Sequence, residues 1–88
     1  MHLARVVGSI VCTRKDARLD GVPLLLVQPI RHDGTDVGRP LVASDAAGAG
    51  PGERVFFVRG SEAAYPFHPR VVPTDASIVG IVDRDGMA

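Results

Sequence analysis

The sequence has little cysteine, few aromatic side chains, no excess of charge and no long apolar run. Cys12 is the only cysteine, so an intrachain disulfide is excluded and a cysteine-based zinc site would need other ligands. Ten Lys and Arg balance ten Asp and Glu, and this balance creates no long-range field that attracts nucleic acid or an anionic membrane. No apolar run approaches the roughly 18 residues of a membrane helix, and the N-terminus lacks a signal-peptide pattern. We expect a cytoplasmic protein with neither nucleic acid nor membrane as a partner.

The chain is short for the amount of apolar surface that it carries. Its 88 residues predict a single domain, residues 1–88, and a small core. Hydrophobic residues nevertheless make up 45% of the chain and occur mostly in short runs. Because one small core cannot easily bury that much apolar surface, the composition favours an oligomer.

Five segments have the pattern of β-strands. In the first, the even positions from Ala4 to Cys12 form an apolar face, so the Cys12 thiol is expected to point into the core. The second, fourth and fifth are apolar on both faces, which predicts a burial partner outside the barrel. Gly80, in the middle of the fifth, predicts a bulge or a close backbone approach. The predicted strands are Leu3–Thr13, Pro23–Ile30, Leu41–Ala46, Arg54–Arg59 and Ser77–Asp83.

The connections between these strands are rich in turn residues. Ser61 is expected to cap one short helical turn that Pro66 ends, and the segment from Tyr65 to Val72 is expected to be irregular. The C-terminal residues 84–88 are expected to fray. The predicted fold class is therefore all-β, a small five-stranded OB-like β-barrel with at most one short helical turn.

The segment from Asp45 to Val55 concentrates glycine between the third and fourth strands. Glycine reaches positive φ without steric cost and lets another backbone come close. A phosphate-binding loop would need a Gly-Lys-Ser/Thr ending and a following helix, and here a strand follows instead. The segment is better interpreted as a tight passage between strands, approached by a ligand or by a neighbouring subunit.

Three arrangements of reactive side chains were considered. His32 with Asp33 and Asp36, or His68 with Asp75, could be imagined as metal ligands, but the first set is typical of turns whose Asp side chains bond nearby amides. Ser44 and Ser61 lack a nucleophile elbow and an oxyanion hole. An enzyme would need two of Asp45, Asp75, Asp83, His32 and His68 to converge in a pocket. We predict no catalytic, cofactor or metal site.

The order and spacing of five motifs resemble the pentameric vertex proteins of bacterial microcompartment shells. This family includes the carboxysome and ethanolamine-utilisation vertex proteins, and the resemblance covers nearly the whole chain. One departure is Ala64, where such proteins often carry an arginine, and the segment from Tyr65 to Val72 matches no family motif. The matching motifs are Arg5-Val6-x-Gly8-x-x-Val11-x-Thr13-x-Lys15, the segment Leu24–Pro29, Ala43-x-Asp45-x-x-Gly48-Ala49-Gly50-x-Gly52-Glu53-x-Val55, Gly60-Ser61-x-Ala63 and Pro73-x-Asp75-Ala76-x-Ile78-Val79-Gly80-Ile81-Val82-Asp83.

The resemblance implies a homopentamer of OB-like barrels that caps the five-fold vertices of a shell tiled mostly by hexamer-forming proteins. It implies a structural protein, not an enzyme, without a cofactor, in the shell within the cytoplasm. From strand apolarity we expect the second and last strands to form the subunit contacts, with Asp45 and Asp75 bonded to backbone amides. The residues predicted at the subunit interface or pore are Asp45, Gly48, Ala49, Gly50, Asp75, Ile78 and Gly80.

One other function stays open at this point. OB-like barrels commonly bind single-stranded nucleic acid through exposed aromatic side chains over a basic groove. This chain has one Tyr, three Phe and no Trp, and at least one of Phe56 and Phe57 must lie in the core. Binding of single-stranded nucleic acid is therefore the alternative hypothesis.

Overall fold

The computed structural model describes residues 1–13, 15–70, 72 and 74–82. Five strands and two short 3-10 helices make up the regular structure of these residues. The strands are β1 (His2–Ser9), β2 (Leu24–Pro29), β3 (Leu41–Asp45), β4 (Arg54–Arg59) and β5 (Ala76–Ile81), and the 3-10 helices are Ala17–Leu19 and Gly60–Phe67.

The five strands close into a barrel in the order β1-β2-β3-β5-β4, which confirms the predicted fold class. The contact between β3 and β5 is parallel, and the other four are antiparallel. Closure matters because a closed sheet has no free edge strand to pair with another chain. Contacts with other chains must therefore use side chains on the barrel's outer surface and the loops at its ends.

Alternate residues of the strands fill the barrel. Val6, Val27, Val55, Phe57 and Ile78 are each at most 2% exposed and lie in one cluster. Burying a side chain of this size contributes about 1.5–3 kcal/mol. The interior of the barrel is thus occupied by apolar side chains.

β1 is shorter than predicted. Its last ladder bond runs from the Ile10 amide to the Leu24 carbonyl, 2.9 Å. The backbone of Pro23, the next residue of the partner strand, faces β3, where its carbonyl accepts from the Asp45 amide at 2.9 Å. Residues 11–13 lie outside the sheet, and Cys12 is exposed. The prediction that its thiol points into the core is wrong.

Two strands carry an extra residue relative to their partners. β1 pairs Val6 with Val27 and Gly8 with Leu26, so Val7 has no partner. β5 pairs Ile78 with Phe57 and Gly80 with Phe56, so Val79 has none. The bulge predicted at Gly80 is therefore confirmed. Each bulge shifts the alternation of faces by one residue.

The second 3-10 helix differs from the predicted single turn. Arg59 stands at its N-cap without a side-chain cap bond, and Ser61 lies inside the helix, so the predicted Ser61 cap is wrong. Pro66 also lies inside it. Its missing amide would have bonded the Ala63 carbonyl, and the Ser77 hydroxyl of β5 donates to that carbonyl instead. The proline thus frees an acceptor that ties the helix to the barrel.

The first 3-10 helix was not expected in the charged loop after β1. Asp16 accepts bonds from the backbone amide and the guanidinium of Arg18, at 2.7–3.0 Å. Arg70 then donates to the carbonyls of Arg18 and Asp20, so the charged loop is fastened to the segment that follows the second helix. Among the described residues, no helix is long and apolar enough to span a membrane.

Candidate subunit interface

The glycine turn, residues 45–53, is held together by two carboxylates of its own chain. Asp45, 7% exposed at the end of β3, accepts from the amides of Ala47 at 2.9 Å, Gly48 at 3.0 Å and Ala49 at 2.8 Å. Glu53 accepts from the amide of Gly50 at 2.5 Å. Asp45 therefore does fasten backbone amides, but those of its own turn. Any contact of its side chain with a neighbouring subunit remains a prediction.

Two glycines of this turn are required by the backbone of the subunit itself. Gly48 and Gly52 have φ of 79° and 82°, a region that residues with a Cβ rarely adopt. Gly50 has no such φ, and a Cβ there would meet only the flexible Glu53 carboxylate, at 3.3 Å. Ala49 is half-buried and packs against the barrel core. The turn is thus explained within one subunit, and its predicted place at the interface stays a prediction.

Two other predicted interface residues lie at or near the start of β5. Ile78 is 0% exposed inside the barrel, so its side chain cannot reach a neighbour, and that part of the prediction is wrong. Its inward direction follows from its pairing with the core residue Phe57. Asp75 is exposed just before β5, where its backbone carbonyl accepts from the Gly60 amide at 3.0 Å. A contact through its side chain stays a prediction.

The outer surface of the barrel carries two separate apolar faces. We call the first the β2 face; it consists of Gly8, Leu26 and Val42, which are cross-strand neighbours on β1, β2 and β3. Val42 is 48% exposed.

The second apolar face, the β4 face, lies toward the other end of β1. It consists of Leu3, Phe56 and Gly80, which are cross-strand neighbours on β1, β4 and β5. Phe56 is 38% exposed. The two-sided apolarity of β2 and β4 thus corresponds to outward side chains, Leu26 and Phe56.

Gly8 and Gly80 are each placed directly beside a large apolar side chain of their face. Neither has a positive φ, and a Cβ built on either would meet nothing within 4 Å. Glycine within a strand costs about 0.5–1 kcal/mol relative to alanine. Nothing within the described part of the subunit therefore requires glycine at these two positions, in contrast to Gly48 and Gly52.

A charged strip separates the two faces along β1. Arg5 lies opposite Gln28 of β2 and Arg54 of β4 on the outer surface. Its guanidinium pairs with Asp36 at 3.1 Å. Asp36 belongs to the turn predicted from residues 32–36, and Asp33 of that turn accepts from the Thr35 amide at 2.9 Å. The Thr35 hydroxyl and then its amide hold the pKa of Asp33 below its ordinary value.

The side chains considered above as candidate acids, bases or metal ligands do not gather at the open groove at one end of the barrel. This groove lies where β1 begins, and His2, Arg39 and Arg59 are among its lining residues. Its lining contains none of Asp45, Asp75, His32 and His68, and Asp83 lies outside the described residues. Among the described residues, no group of three His, Cys, Asp or Glu side chains could hold a metal ion.

Gly8, Val42, Leu3 and Phe56 were not among the predicted interface residues. A usable signal was present in the sequence, because each face combines a strand that is apolar at both alternating positions with a glycine inside a strand. The bulge at Val7 obscured this signal on β1, since it reverses which residues point outward.

The chain is similar to named proteins over nearly its whole length. A family model described as "Ethanolamine utilisation protein EutN/carboxysome" matches residues 1–83. The bacterial microcompartment shell vertex protein PduN of Salmonella typhimurium is 44% identical over 87 residues, which cover 94% of this chain and 96% of PduN. The carboxysome shell vertex protein CcmL of Synechocystis is 43% identical over 88 residues, covering 100% of this chain and 88% of CcmL.

Solved structures with the same fold point to the same group of proteins. The GrpN pentameric microcompartment shell protein of Rhodospirillum rubrum superposes with a TM-score of 0.84 at 37% identity, covering 94% of each chain. A structure of the ethanolamine utilization protein EutN gives a TM-score of 0.88 at 42% identity, covering 94% of this chain and 86% of that one.

Proposed function

The chain belongs to the EutN/CcmL family, and we propose that it is a structural shell protein whose homopentamer caps the five-fold vertices of a bacterial microcompartment. The observation that carries this proposal is its 44% identity with a shell vertex protein over nearly all of both chains. A TM-score of 0.84 to a shell protein described as pentameric supports the ring of five.

The physical properties of the subunit suit this role. A flat layer of hexamers cannot close into a polyhedron without five-fold points, and a cyclic pentamer supplies one. The closed barrel leaves no edge strand to recruit other chains, while its two apolar outer faces offer contacts to copies of itself. Balanced charge also weakens the repulsion between identical subunits.

The alternative function, binding of single-stranded nucleic acid, gains no support. Such binding stacks bases on exposed aromatic side chains over a basic groove. Here Phe57 is 2% exposed in the core, and Phe56 lies in an apolar face. The relatives are named as shell vertex proteins.

A role without catalysis is part of the same proposal. The relatives are named as shell vertex proteins, and the lining of the open groove includes His2, Arg39 and Arg59 but no carboxylate to pair with the histidine. Residues 1–88 are treated as a single vertex domain located in the shell within the cytoplasm. Its further partners are the hexamer-forming proteins that tile the shell facets.

Two measurements test the proposal. Native mass spectrometry of the purified chain should give a mass of five subunits. Co-expression with hexamer-forming shell proteins of the same source should give closed particles, and omission of this chain should give sheets, tubes or particles with open vertices. A chain that is monomeric at micromolar concentration, or shells that close equally well without it, would contradict the proposal.

A further inference from the structure

We propose that the β2 face of one subunit packs against the β4 face of the next around the ring. This inference rests on the pentamer proposed above and names the surfaces that hold it together. The partner of each face is a second copy of this chain, presenting the other face.

The symmetry of a five-membered ring requires two different surfaces on each subunit. A surface that pairs with its own copy closes after two subunits, whereas a ring of five repeats a contact between unlike surfaces. The barrel provides two such surfaces on different strands, the β2 face (Gly8, Leu26, Val42) and the β4 face (Leu3, Phe56, Gly80). Both surfaces are apolar and contain no charged residue, so neither repels the other or leaves a charge buried.

Gly8 and Gly80 support the pairing of the β2 face with the β4 face. In the β4 face, the exposed Phe56 lies beside Gly80, and in the β2 face, Leu26 lies between Gly8 and the exposed Val42; a Cβ on either glycine would meet nothing within 4 Å. A projecting side chain from one subunit can occupy the space left beside a glycine of the next. This gives Gly8 and Gly80 a role between subunits that they lack within one, and it offsets the cost of glycine in a strand.

The charged strip keeps these contacts apart. Arg5 lies on β1 between the faces, and Asp36 neutralises it at 3.1 Å within the same subunit. An unpaired arginine there would lose hydration when two apolar faces closed beside it. The internal ion pair lowers that cost for Arg5, so this arginine does not need a countercharge from the neighbour.

A set of three substitutions tests which surfaces matter. Leu26→Asp and Phe56→Asp each put a carboxylate into one face, and each should abolish the pentamer in native mass spectrometry while leaving a folded monomer by circular dichroism. Val11→Asp is the matched control, because Val11 is 93% exposed and lies in neither face. It should remain pentameric. Pentamers from both face variants would overturn the inference.

Cross-linking tests which surface meets which. In a Cys12→Ser background, the double variant Leu26→Cys with Phe56→Cys should give, with a short bis-maleimide linker, a ladder of covalent species up to five subunits. The variants carrying either cysteine alone should give no covalent dimer. Covalent dimers from a single-cysteine variant would show that a face meets its own copy, and would overturn the inference.

The two proposals fail in different ways. If the unmodified chain is not pentameric, the proposed function fails. If it is pentameric and both face variants remain so, or the double-cysteine pentamer gives no ladder, only the assignment of the faces fails.

Discussion

The glycine turn and the two outer faces use the same residue for different reasons. In the turn, Gly48 and Gly52 have positive φ, and the carboxylates of Asp45 and Glu53 satisfy the nearby amides. In the faces, Gly8 and Gly80 have ordinary strand conformation and open space around them. The first pair is needed to fold one subunit, whereas no contact among the described residues requires glycine at the second pair.

This difference separates what the subunit requires from what the assembly requires. Substitutions in the turn should lower the free energy of unfolding of a monomer and leave the affinity between subunits largely unchanged. Substitutions of the strand glycines Gly8 and Gly80 should not destabilise the monomer but should weaken the affinity between subunits. Stability is therefore best measured in the monomeric face variants, where assembly does not contribute.

The largest expected effect is that of Asp45→Ala. It removes the acceptor of three buried or half-buried amides, and we expect the free energy of unfolding to fall by about 2–4 kcal/mol. Urea denaturation in the Phe56→Asp background measures this loss. Asp45→Asn keeps one acceptor oxygen and should lose less. A loss below about 0.5 kcal/mol for Asp45→Ala would show that the turn is not held by this carboxylate.

Gly48→Ala should cost about 1–2 kcal/mol, because alanine is strained at a φ of 79°. Gly50→Ala is the matched control in the same turn, and its smaller loss reflects the absence of a positive φ. Both are measured by urea denaturation of the monomeric background. Native mass spectrometry of the two variants in the unmodified background should still show pentamers. A folded Gly48→Ala chain that no longer assembles would place the turn in the subunit contact, as the sequence first suggested.

Gly80→Ala should stabilise the monomer by about 0.5–1 kcal/mol, because its Cβ enters open space in a strand. In the unmodified background the same change should weaken the pentamer, seen as dissociation at higher protein concentration in a dilution series. Gly8→Ala, in the β2 face, should likewise stabilise the monomer and weaken the pentamer. The stability of Gly80→Ala is measured in the Leu26→Asp background and that of Gly8→Ala in the Phe56→Asp background. A destabilised monomer would mean that the subunit itself needs these glycines.

The smallest effect on stability is expected from protonation of Asp16, which lies in neither the glycine turn nor the two outer faces. The bonds from Arg18 lower its pKa to about 2 from 3.8. A carboxylate whose pKa is lower in the folded chain than in the unfolded chain stabilises the fold at pH values above its unfolded pKa. This contribution is lost as the pH falls from about 4 toward 2. Because the pair is exposed, the change in stability should be slight.

Carboxyl carbon NMR titration checks this pKa directly. Arg18→Gln should raise the titration midpoint of Asp16 toward 3.8. Asp33, whose low pKa comes from Thr35 and not from a charge, should keep its midpoint in the same variant. Equal movement of both midpoints would point to a general charge effect instead of the Arg18 contact.

The barrel could be predicted because alternation and turn residues mark its strands. The bounds of β4 were predicted to the residue, and the closed five-stranded arrangement followed from strand number and length. The end of β1 could not be predicted from its own residues, because their apolar alternation continues to Cys12 while the hydrogen-bond ladder ends at Ile10. The same holds for the second 3-10 helix, whose tolerance of Pro66 depends on Ser77 of β5.

The residues that face outward on β5 could be predicted less well, for a related reason. Ile78 and Gly80 are two residues apart, and a regular strand would place them on the same face. The bulge at Val79 sends Ile78 inward and Gly80 outward. A bulge changes which side chains are available, and its position is set by pairing with another strand. Apolarity of the strand alone therefore selected one residue that faces the core and one that faces outward.

Tyr65, 69% exposed in the second 3-10 helix, belongs to a segment without counterpart among the motifs of the family. Rotation about a single axis places all copies of any loop at the same height, so five copies of this helix would be in the same environment of a pentamer. A peptide inserted there would face the lumen, the cytosol or a neighbouring shell protein in all five subunits alike. Protease treatment of intact shells carrying such an insertion would reveal the orientation of every vertex at once.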